Sequence, residues 1–231
     1  TTTSGEIEVN AGAAGVGLIT MADGTVFNAG DDLIDLNGVG DVTIGRLITT
    51  NATATAVEIV STMGAIIDGG NTGGVDVEAT GGGLVIDAAT GVGNGDAIET
   101  TVASIDIDNS TSGNIQITEA DGLTVTKADQ AADLDTADIS ITSTAGAIAV
   151  GTIEAGAGVN GDVTLTATGA GGAITDNNGA ALNITADVLT IDAATGVGDG
   201  DAIETTVASI DIDNSTSGNI QITEADGLTV T

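Results

Sequence analysis

The sequence predicts an all-β chain wound as a solenoid of stacked parallel coils. Three observations lead there. Residues 84–126 recur as residues 189–231, with changes only from Val85 to Thr190 and from Asn94 to Asp199. Short apolar runs alternate with polar residues along the whole chain. The composition holds 36 Gly, no Pro, no Cys, no His and one aromatic residue, Phe27. Repetition at a long fixed period decides an architecture before any local detail does. A closed barrel or sandwich cannot be lengthened by tandem units, whereas a solenoid can, because each coil contacts only its neighbours.

The repeat reaches beyond the near-identical block. Thr3-Ser4-Gly5-Glu6-Ile7-Glu8-Val9 echoes Thr111-Ser112-Gly113-Asn114-Ile115-Gln116-Ile117, and Val42-Thr43-Ile44-Gly45 falls on Ile148-Ala149-Val150-Gly151. The chain therefore reads as one continuous solenoid segment, with a partial unit over residues 1–20 and units over 21–126 and 127–231. Starting inside one unit and stopping on Leu228-Thr229-Val230, it reads as a window on a longer array.

Strands are expected wherever apolar residues recur at period two: Ile7/Val9, Ile34/Leu36, Val57/Ile59, Val75/Val77, Leu84/Ile86, Ile105/Ile107, Ile115/Ile117, Ile139/Ile141, Val163/Leu165, Leu182/Ile184 and Ile220/Ile222. That period marks a strand with one buried face, and the runs are bounded by the turn formers Gly, Asn, Asp and Ser. Coils of about 20 residues, as in other solenoids, put about five in each 105-residue unit. Stacked about 4.8 Å apart, they would make a unit roughly 24 Å tall. Each inward Ile, Val or Leu contributes about 1.5–3 kcal/mol by burial. The lack of Pro suits strands that donate hydrogen bonds on both sides.

Composition excludes other classes. Gly, Thr, Val and Ile disfavour helix, and 41% hydrophobic residues in a regular pattern argue against disorder. With 34 acidic residues against Arg46 and Lys127, the net charge is −32. Nucleic acid and anionic membrane surfaces are excluded as partners, because phosphate binding needs Lys and Arg. No apolar stretch is long enough for membrane insertion. Cations are the natural companions of such a surface.

Gly161-Asp162-Val163-Thr164-Leu165-Thr166-Ala167, Gly172-Ala173-Ile174-Thr175-Asp176, and Ala88-Ala89-Thr90-Gly91-Val92-Gly93 followed by Ile98-Glu99-Thr100-Thr101-Val102 resemble large secreted bacterial repeat exoproteins of the filamentous-haemagglutinin type. That resemblance implies a right-handed parallel β-helix, export to the cell surface or medium, and a role as adhesin stalk or extracellular fibre. It implies as partners a surface receptor, a neighbouring cell or further shafts. The secretion domain typical of that family is not in these residues.

Candidate sites are few, and no catalytic, cofactor or metal residue is assigned. Asp106 and Asp108, repeated as Asp211 and Asp213, form an outward carboxylate pair of the kind glycosidases use. Without His or aromatic stacking, a solvated acidic row is the favoured reading. Asp87, Asp96 and Glu99, with Asp192, Asp199, Asp201 and Glu204 in the second copy, offer oxygen ligands suited to Ca²⁺. They depart from the Ca²⁺-binding nonapeptide, because Asp96 follows Gly95 without a spacer. Gly91-Val92-Gly93-Asn94-Gly95 lacks the spacing and the Lys of a phosphate loop. Asn51, Asn109, Asn183 and Asn214 match the glycosylation pattern, as chance allows in a Thr-rich chain. Rows of Thr do not recur at every coil, which argues against an ice-binding face. The expected function is a structural shaft rather than an enzyme; the alternative is a Ca²⁺-dependent surface-layer or matrix module.

Overall fold

The computed structural model describes residues 5–12, 16–72, 74–156 and 160–231. Twenty strands run from Ile7–Ala11 to Thr229–Val230, with no helix among the described residues. The pairings between these strands are all parallel, which is the ladder of a solenoid and not of hairpins.

One inward column climbs the whole height. Val9 pairs with Leu36, then Ile59, Ile86, Ile107, Ala128, Ile153, Ile184, Thr205 and Glu224. Those steps make about nine turns, each taking 19 to 31 residues. A second column runs Ile19, Val42, Ile66, Val92, Ile115, Ile139, Val163, Leu189, Ile210. A third starts at Phe27, Leu47, Val77 and Thr100. The columns meet in one aliphatic core, in which Ile105 is 1% and Ile115 0% exposed.

Corners between faces are made where a Cβ has no room. The strand Val77–Ala88 serves two faces, since Val77 lies on Leu47 while Leu84 lies on Val57. The chain bends between them at Gly81-Gly82-Gly83. A Cβ on Gly83 would sit 2.1 Å from the Ala54 carbonyl oxygen, so only glycine fits.

The two copies of the repeated block do not stand above one another. Four rungs up from Ile86 lies Ile184, and seven residues later the chain has turned onto the next face, where Ile191, the copy of Ile86, pairs with Leu165. A unit therefore takes four turns and one further face rather than a whole number of coils. The wider turns of the observed coil, against the 20 residues expected, account for the difference. The same sequence buries the same residues on both faces: Ile98–Asn109 and Ile203–Asn214 share one pattern until Asp211; the equivalent residues of the first copy are covered by Lys127–Gln130.

Two expected runs are inward only at their second residue, Val77 and Ile184. Leu182 is 43% exposed and the fully buried residue is Asn183; at the equivalent place in the first unit Asp76 is 2% exposed beside buried Val77. Both lie where one face hands over to the next and strict alternation lapses.

Replacing Ile107 by Ala removes a fully buried side chain and is expected to destabilise the 231-residue chain by about 2–5 kcal/mol in denaturant unfolding. The same change at partly buried Ile212 is expected to have less than half that effect, although the flanking sequence is identical.

Candidate functional site

Outward positions on the first face carry carboxylates in register. Glu8, Asp35 and Glu58 form one row, and Asp87, Asp108, Asp129 and Glu154 form the row beside it. Parallel stacking sets neighbours about 4.8 Å apart. Lys127 rises into these rows, bonding Asp108 and lying 3.3 Å from Asp129; the bond to Asp108 raises its pKa. Burial, then the charges of Asp108 and Asp106, raise that of Asp87. The other cation, Arg46, pairs with Glu78 at 2.5 Å. Both pairs are half exposed and contribute little stability.

Asp106 and Asp108 stand in this outward acidic arrangement, and Asp87 and Asp108 border a shallow depression with Thr62 and Ser110. The adjoining face is neutral and polar where the Gln116 amide and the hydroxyls of Ser140, Thr164 and Thr190 align beside Thr118, Thr142 and Thr166, and turns acidic at Asp192, Asp211 and Asp213.

The structure does not bring the candidate oxygen ligands Asp87, Asp96 and Glu99 together. Asp87 faces outward, Asp96 is exposed in its turn, and Glu99 points back toward Asp76 and Asp68. In the second copy Asp199 is held by Asn219 at 2.9 Å. Among the described residues the one group of three acidic side chains whose oxygens converge is Asp68, Asp76 and Glu99, within 4.8 Å of one another. Of these, only Glu99 was singled out by sequence. Asp76 lay hidden in the supposed inward pair Val75/Val77; the signal that finds it is its alignment with Asn183, each some twenty residues before a repeated Ile-Glu-Thr-Thr.

The buried polar residues hold backbone across rungs. Glu119 accepts from the Thr100 hydroxyl at 2.7 Å, and from the backbone N–H groups of Val102, Ala120 and Asp121 at 3.1, 2.9 and 3.2 Å. Glu224 repeats this with Thr205, Val207, Ala225 and Asp226. Burial pushes Glu119 up to about 7 against the pull of those donors. Asn109 accepts from Gly91 N–H at 2.9 Å and donates to the Ser112 carbonyl at 3.0 Å, and Asn214 does the same with Gly196 and Ser217. Asn109 and Asn183, two of the glycosylation matches, are thus interior structural groups.

Comparison with known families, characterised proteins and solved structures returns no match.

Glu119 has a folded pKa above its unfolded value of 4.5, so its contribution is complete below pH 4.5 and is lost as pH rises through about 7. Glu119→Gln is expected to flatten the fall in stability between those values, by up to about 1.4 kcal/mol per pH unit relative to the parent. Parallel denaturant titrations at pH 4.5, 6 and 7.5 check it; parallel curves for the two proteins would refute it.

Proposed function

We propose that this chain is a structural shaft in a secreted or cell-surface repetitive protein, an adhesin stalk or extracellular fibre. The observation that carries the reading is the unbroken inward column from Val9 to Ile184, which crosses from one unit to the next without a gap. Each unit can then add height without a new core. The net charge of −32 gives such a shaft a self-repelling surface that favours solubility over bundling at low salt.

Tandem addition tests it. Each extra copy of residues 127–231 is expected to lengthen the particle by about 21 Å, from four and a third turns at about 4.8 Å each, in electron micrographs or solution scattering. Particles that grow in width instead overturn the reading.

A second reading, a Ca²⁺-dependent surface-layer or matrix module, is favoured by the acidic rows on the first face. For a shaft, Na⁺, Mg²⁺ and Ca²⁺ at matched ionic strength are expected to raise the melting temperature alike, by screening exposed charges. A large shift with Ca²⁺ alone would support the module instead.

A further inference from the structure

The corner that holds Asp76 occurs twice, with one chemical difference. In the second unit Asn183 is fully buried. Its side-chain oxygen accepts from Glu204 N–H at 2.8 Å, and its amide donates to Asp176 Oδ1 at 2.7 Å and to the Val150 carbonyl at 2.9 Å. In the first unit Asp76 takes that place. Its Oδ2 accepts from Glu99 N–H at 3.0 Å, and the two backbones are joined by Asp76 N–H to the Glu99 carbonyl at 2.8 Å, as Asn183 is joined to Glu204. What is missing is the donor. Asp68 Oδ2 and Glu99 Oε2 are buried and receive no hydrogen bond, and both converge on Asp76.

We propose that Asp76 is a protonated acid in the folded chain at neutral pH, donating its single O–H to the Glu99 carboxylate beside Asp68 and so standing in for the Asn183 amide, which makes this corner a pH-sensitive clasp. Burial favours this state most, and the charges of Asp68 and Glu99 add to it, together pushing the Asp76 carboxyl up to about 8. Glu99 is raised as well, by burial and by Asp68 and Asp96. At Asp176 burial acts in the same direction but is outweighed by the Asn178 N–H and the Asn183 amide, which hold it below the usual range. No cation offsets the cluster: Arg46, in the coil below, is engaged with Glu78, and Asp23 is tied to Thr72. The unfolded value is 3.8, so the stability contributed by the Asp76 proton is fully present below it and is lost as pH rises through about 8.

The test is a ¹³C titration of the Asp76 carboxyl in the 231-residue chain, alongside Asp76→Asn and Asn183→Asp. The expected midpoint lies above pH 7. Asp76→Asn is expected to match or exceed the parent in stability at pH 8.5, and Asn183→Asp to introduce a second carboxyl titrating above its usual range. An Asp76 midpoint near 4 overturns the proposal even if a variant fails to fold. So does a loss of stability in Asp76→Asn at pH 8.5. If millimolar Ca²⁺ or Mg²⁺ lowers the Asp76 midpoint and stabilises the parent but not Asp76→Asn, the cluster takes a metal ion rather than a proton, and the proposal falls.

Discussion

The parallel ladder is the constraint on which the rest depends. Once a rung is laid on the one below with its residues in register, every inward side chain must suit the one beneath and the one above. Ile34 lies under Val57, Val57 under Leu84, Leu84 under Ile105. A column of this kind has little room for a bulky aromatic at a middle level, and Phe27, the single aromatic residue, is partly buried at the first described rung of the third column, with Leu47 above it. It also has no place for Pro, whose missing N–H would break a rung on a central strand. Composition and architecture are therefore one fact seen twice.

The ladder also explains why polar groups are inside. A turn of three short strands has corners, and not every backbone N–H and C=O group at a corner is met by the neighbouring rung. Buried groups of that kind must find partners or carry a penalty of roughly 1–3 kcal/mol each. Asn109 and Asn214 bridge the carbonyls of one corner to an N–H on the rung below, and Glu119 and Glu224 each gather four donors at another. Because these bonds are local to two adjacent rungs, they work equally well on whichever face the block lands. That is why 43 residues can be reused one face round the axis with hardly a change.

Most of the core was legible from alternation alone: Leu36, Ile59, Ile86, Ile107, Ile141 and Leu165 all point inward as the period of two requires. What alternation cannot report is a change of face. At a corner the backbone turns through the plane that defines in and out, so two successive residues can both be interior, as with Asp76-Val77 and Asn183-Ile184. The angular offset between units was hidden for a related reason. Sequence spacing counts residues, whereas the column counts turns, and turns here differ by as much as twelve residues. The acidic rows on the first face were partly readable, in that Asp106 and Asp108 face outward as expected. Their alignment with Asp87, Asp129 and Glu154 follows only from register.

Register has a further consequence for charge. Carboxylates held about 4.8 Å apart in a row cannot relax away from one another as they would on a flexible chain. With two cations for 34 acids, repulsion is built into the surface and opposed by burial within. The two unlike environments respond oppositely to ions: screening weakens repulsion between exposed carboxylates over distances beyond about 8 Å at physiological ionic strength, yet leaves the buried ones nearly untouched. Salt therefore acts on the outside of the coil and protons on the inside. A chain with neutral interior corners throughout, as Asn183 provides in the second unit, would lose the second of these dependences while keeping the same fold.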